Sequence, residues 1–185
     1  MRAMLDACVL YPTVMREVLI GAADQGMYQP RWSARILEEW ARAAARVAPA
    51  SEPIARGEIA LLRAAWPGCE AFVDQGRMAR YWLPDKNDIH VLAAAAESSC
   101  DLIITMNAKD FPQRILAEEG LSRQDPDGFV VSLFHANPEL MHAIAMRIHA
   151  KAEELSGQPW DIRKLYKKAR MPRFGKAVSA YIDQL

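Results

Sequence analysis

Apolar and polar positions fall along the chain in blocks whose lengths and periods predict strands alternating with helices. The run AMLDACVLYP is apolar except for Asp6 and stops at a proline, which predicts a buried strand over Ala3–Leu10. Thr13 is placed to cap a helix to about Asp24, with Val14, Val18 and Ala22 on one face and Gly26 at its end. Ser33 opens a second helix with the stripe Ile36, Leu37, Trp40, Ala44 and Val47, which ends before Pro49. A third helix runs from Pro53 to Trp66, segment 67–76 closes it, and a strand is expected at Arg80–Leu83. Asp85 can cap a helix over Lys86–Ser98 whose stripe is Val91, Leu92, Ala95 and Ala96. Leu102–Thr105 reads as another buried strand, followed by a loop with Asn107 and Asp110 and a helix over Pro112–Glu119. Past the turn-rich RQDPDG, residues 123–128, come helices over Phe129–His135 and Pro138–Leu155 and about two more. This pattern predicts an α/β domain over residues 1–124 and a helical extension over 125–185.

Composition changes this picture little. With 185 residues, 51% of them hydrophobic, the chain can bury one domain core and an appendage. Lysine plus arginine equals aspartate plus glutamate at 23 each, so net charge alone predicts no affinity for nucleic acid or membrane. Distribution says more: Arg147–Lys176 carries nine basic residues against three acidic ones, a net +6, as dense as an RNA-phosphate contact would need or as a solvated helix face would show. Cys8, Cys69 and Cys100 are odd in number and lack C-x-x-C spacing, and they read as reduced core thiols. Asp6 interrupts the N-terminal apolar run and no run reaches the roughly 20 residues of a membrane span, so a cytosolic protein with no membrane partner is expected.

The candidate chemistry lies in acidic groups set where packing would call for apolar ones. Asp6 falls inside a predicted strand, and Asn107 and Asp110 leave the end of another. At about 100° per residue, Glu38 points away from its helix stripe and into solvent while Glu39 sits on the stripe border. Asp88 shares a side with Val91, Leu92 and Ala95, in the first helical turn. Partly buried carboxylates repel one another and need a cation, and oxygen donors without His or Cys select Mg²⁺, for which Mn²⁺ can substitute. Simpler roles stand beside this one. Asp85 reads as a helix cap, Asp110 equally as a cap, and Asp88 alone could be favoured by the helix dipole. Cys8 reads as a packed thiol, His90 as a packing or surface residue, and Trp66, Trp82 and Trp160 as core or interface residues more than base-stacking ones.

The segments LDACVLYP, SARILEEW, LPDKNDIHVLAAA and IITMNAKDFP, in this order over about the first 125 residues, resemble the four signature segments of PIN-domain nucleases, especially VapC-type toxins of bacterial toxin–antitoxin pairs. The resemblance implies an α/β/α sandwich around a mainly parallel sheet and a metal-dependent endoribonuclease that leaves a 5′-phosphate and a 3′-hydroxyl. It also implies an RNA substrate, a cognate antitoxin and, because dimers are common in the family, a homodimer. Carried onto this chain, the acidic positions match Asp6, Glu39 and Asp88; the fourth, often Asp, is Asn107, with Asp110 placed to make good the missing charge. Asp6, Glu39, Asp88 and Asp110 are the expected metal ligands. A PIN-like module that has lost activity and binds RNA or protein is the competing expectation, supported by Asn107.

Overall fold

The N-terminal apolar run is a strand for only half its length. In the computed structural model, which describes residues 1–74 and 76–184, strand β1 spans Arg2–Leu5 and helix α1 spans Ala7–Leu10. Gln75, within segment 67–76, and Leu185 lie outside the described residues. The Asp6 carbonyl accepts hydrogen bonds from the Val9 and Leu10 N–H groups at 3.0 and 3.2 Å, which turns the chain into α1. Ala3–Leu10 is therefore not one strand, and Asp6 stands at a strand end instead of inside it. A short apolar run does not by period alone tell strand from buried helix.

The remaining helices are α2 (Thr13–Asp24), α3 (Ala34–Val47), α4 (Ser51–Ala65), α5 (Ile89–Glu97) and α6 (Gln113–Glu118), then α7 (Pro126–Ala136), α8 (Pro138–Ser156), α9 (Ile162–Lys168) and α10 (Pro172–Ile182). The strands are β2 (Gln29–Ser33), β3 (Glu70–Ala71), β4 (Leu102–Ile104) and β5 (Ser122–Gln124). Two compact units result, one of Met1–Tyr11 with Tyr28–Gln124 and one of Pro12–Met27 with Asp125–Leu185.

In the first unit the five strands form a wholly parallel sheet in the order β3-β2-β1-β4-β5, flanked by helices in an α/β/α arrangement. Ala3, Met4 and Leu5 in β1 and Ile103 and Ile104 in β4 are wholly buried, as strands covered on both faces require. Their register, Met4 opposite Ile103 and Leu5 opposite Ile104, brings Asp6 level with Thr105 beyond the strand ends. Chain order runs outward from β1 to β2 and β3, then crosses to β4 on its other side, so β1 and β4 flank the topological switch point where open parallel sheets bind ligands. The helix stripe Ile36, Leu37, Trp40 and Ala44 is buried as its period predicts, whereas Val47 at the frayed end is exposed.

Two strands carry no apolar signal. β2 contains Pro30, tolerated because β3 pairs only with Trp32 and Ser33, and β5 is a polar edge strand. Arg80–Leu83 is not a strand. Tyr81 and Leu83 are buried and Trp82 is exposed, so the alternation is real, but the segment follows a 3₁₀ turn at Met78–Arg80 and is tied down by side chains. The Tyr81 hydroxyl and Arg77 donate to Glu97, and Arg80 to Glu119.

The second unit is helical. Its core includes Met15, Val18 and Leu19 of α2 with Phe129, Met141, Tyr166, Phe174 and Val178. Buried Asp127 accepts from the Arg173 and Phe174 N–H groups at 3.0 and 2.9 Å and so caps α10. A Cβ on Gly175 would stand 2.8 Å from that of Tyr166, which explains a glycine inside α10. No helix among the described residues is long and apolar enough to cross a membrane.

Candidate metal centre

Asp6 caps no backbone N–H with its side chain, although it stands at the start of α1. Its Oδ2 instead accepts from the Thr105 hydroxyl at 2.7 Å and from the Cys8 thiol at 3.1 Å. Its own N–H donates to the Ile104 carbonyl at 3.1 Å, which fixes the backbone across the β1–β4 switch point. Cys8 also accepts from the Met106 N–H at 3.2 Å. Burial and then the Asp6 charge push its thiol up to about 12, so it stays a packed thiol and not a nucleophile.

The loop after β4 continues this network. Thr105 Oγ1 accepts from the Asn107 N–H at 3.0 Å, and the Asn107 side-chain amide donates to Asp110 Oδ2. Asp110 belongs to a trio with Asp85 and Asp88 in which one carboxylate oxygen from each lies within 4.8 Å of the others. Asp85 does cap as its sequence context suggests, accepting from the Asn87 N–H at 2.8 Å, and it takes part in the trio as well.

Asp88 is the strained member. Its Oδ2 is buried without a hydrogen-bond partner. Burial first, then the charges of Asp6, Asp85 and Asp110, push its carboxyl from 3.8 up to about 6, while His90 pulls the other way. Such a group is short of a cation. The donors on offer are carboxylate oxygens, which match a hard divalent ion such as Mg²⁺ better than a soft one. The residues present therefore fit a divalent cation, with the orphaned Asp88 oxygen as the clearest sign.

Glu39 lies outside the trio. Its Oε1 accepts from Arg35 Nε at 3.4 Å and stands 2.8 Å from His90 Nε2, while Arg35 also donates to the Asn87 carbonyl at 3.2 Å. Glu38 faces the other way, as helical spacing predicts, and Arg56 and Arg42 hold its carboxyl below the usual range. The contact between His90 and Glu39 is short but poorly aligned, and neither ring nitrogen of His90 makes a hydrogen bond. The ring is only 2% exposed. Sequence reasoning missed this placement because α5 is buried nearly all round and leaves no polar face to read.

Fold and site together define a parallel α/β protein with a cluster of carboxylates at the carboxyl edge of its sheet. The chain matches the PIN domain family over residues 2–109, more than half its length, and belongs to that family. PIN domains are in general nucleases, hydrolases that act on nucleic acid with the help of divalent metal ions. Asp6, Glu39, Asp88 and Asn107 fall inside the matched span, and Asp110 lies one residue beyond it. No curated protein and no solved structure matches the chain.

Proposed function

We propose that this chain is a metal-dependent endoribonuclease whose catalytic centre comprises Asp6, Glu39, Asp88, Asn107 and Asp110, and that it acts as the toxin of a toxin–antitoxin pair. The observation that carries the catalytic reading is the Asp88 carboxylate, crowded by Asp6, Asp85 and Asp110 and left with an unpaired buried oxygen. The toxin role draws on the order and local context of the four segments that resemble the PIN signatures, and implies an antitoxin partner and a homodimer.

Asp6, Glu39, Asp88 and Asp110 would hold Mg²⁺, or Mn²⁺ in its place, and the proximity of Asp85 to Asp88 and Asp110 adds it to that set. When bound, the ion supplies activation of water and compensation of charge developing on the phosphate. The residues of the chain do the positioning. Thr105 orients Asp6 through its 2.7 Å hydrogen bond and, through the Asn107 N–H, fixes the loop that carries Asp110. The Asn107 amide in turn holds Asp110. Arg35 donates to Glu39 and His90 lies 2.8 Å from it, and in this reading the pair would orient Glu39 towards the ion. The basic stretch Arg147–Lys176 offers cations for RNA phosphates, and some of them also serve the fold, among them Lys151 with Glu154, Lys168 over the Trp160 ring and Arg173 with Asp125 and Asp127.

A second reading, a binding module without catalysis, draws on Asn107 at the position where an acid is expected. Titrating Mn²⁺ against single-stranded RNA with wild type and Asp6→Asn separates the two. The nuclease reading predicts metal-dependent cleavage by wild type and its loss in the variant. Equal cutting by both proteins, or none by either at any metal concentration, refutes it.

A further inference from the structure

A pocket of about 450 Å³ opens at the carboxyl edge of β2 and β3, lined among others by Arg35, Ala71, Phe72, Val73, Met78 and His90. Phe72 is 86% exposed, directly after the last paired residue of β3, and no packing role accounts for its ring there. Arg35 stands at the pocket with its side chain half exposed. A guanidinium has five N–H donors, so its bonds to Glu39 and Asn87 leave donors over. His90 joins the pocket to the metal centre: it lines the cavity, lies 2.8 Å from Glu39, influences Asp88, and is a buried polar ring with no hydrogen bond.

An exposed aromatic face, a cation with spare donors and a cavity of small-ligand size are the elements of a base-binding subsite. Bases stack on aromatic rings irrespective of sequence, and arginine holds the adjoining phosphate. Through Arg35 and His90 the pocket adjoins Glu39, one of the carboxylates proposed to act on the strand. We propose that this pocket receives a nucleobase of the RNA strand, stacked on Phe72, with the neighbouring phosphate held by Arg35. The inference rests on the nuclease reading and adds to it where one nucleotide of the substrate is gripped.

The test is the affinity for a fluorescently labelled single-stranded RNA in Mg²⁺, measured by anisotropy in an Asp6→Asn background so that the strand stays intact. Phe72→Ala is expected to weaken binding by about 5- to 150-fold, the range for loss of one stacked base. Phe72→Tyr restores it, and Leu61→Ala, removing an exposed side chain on α4 away from the pocket, leaves it unchanged. On an abasic strand of the same length the Phe72→Ala effect disappears. Because Phe72 is exposed, its variants keep the wild-type thermal midpoint, which rules out misfolding as the cause. If wild type cuts RNA in Mn²⁺ while Phe72→Ala binds as tightly as its background, the pocket assignment is overturned and the nuclease reading stands. An equal loss on abasic RNA overturns stacking, and a changed oligomeric state with unchanged RNA affinity overturns it in favour of a protein contact. Absence of both binding and cutting overturns the two together.

Discussion

Replacing Asp88 by Asn in the metal-free protein should make it more stable while removing a ligand of the proposed centre. The Asp88 carboxyl is raised from 3.8 to about 6 by burial and by three neighbouring acids. Fully weighted, a gap of about 2 pH units corresponds to roughly 3 kcal/mol against folding at neutral pH. Asp88 is only half-buried, so solvent screening reduces this to about 1 kcal/mol, and its place at the N-cap of α5 offsets a few tenths more. Asn keeps the size and shape, and no bond is lost at Oδ2, which has none. Because the folded carboxyl binds its proton more tightly than the unfolded one, the penalty is absent well below pH 4, grows as pH rises, and is complete above about pH 7. Urea unfolding in EDTA should therefore find Asp88→Asn about 1 kcal/mol more stable than wild type at pH 7.5, with the difference shrinking towards zero at about pH 4. Added Mg²⁺ should reverse the order, since ligand binding stabilises only the form that binds it. If Asp88→Asn is no more stable than wild type in EDTA at pH 7.5, the charge crowding inferred at this site is not present.

Other consequences are open to measurement. Mg²⁺ affinity should fall as pH drops through about 6, up to roughly tenfold per pH unit as Asp88 takes up its proton, and isothermal titration at pH 5 and 7.5 would reveal it. Thr105→Val removes the donor to Asp6 and the acceptor for the Asn107 N–H, and should cost about 1–3 kcal/mol in urea unfolding, with Thr105→Ser recovering most of it. In the second unit, Asp127→Ala should cost about 2–3 kcal/mol and speed amide exchange at the start of α10, where Arg173 and Phe174 lose their acceptor.

The sheet was legible where it is apolar and hidden where it is not. Leu102–Ile104 stands out as a buried run, while β2 carries a proline and β5 reads Ser-Arg-Gln, strands made by their neighbours' hydrogen bonds and not by their own periodicity. The candidate site was legible as an anomaly, because Asp6 and Asp88 interrupt patterns that packing would otherwise complete. Spacing along α3 separated Glu38 from Glu39, and spacing along the helix expected over Lys86–Ser98 placed Asp88 inward, although the first three residues of that span, Lys86–Asp88, form a 3₁₀ turn ahead of α5. It did not place Asp85 within 4.8 Å of Asp88 and Asp110, because the capping role explains that residue fully from local sequence. Nor could it pair His90 with Glu39, whose meeting depends on how α5 and α3 approach in space.

The most direct measurement is the anomalous scattering of Mn²⁺ in a crystal of the protein grown with that ion. A peak coordinated by Asp88 together with carboxylates of the proposed set, Asp6, Glu39, Asp85 and Asp110, is the predicted result, lost in a crystal of Asp88→Asn. A fully soaked crystal with no peak among these carboxylates, or with the ion held elsewhere, would contradict the account.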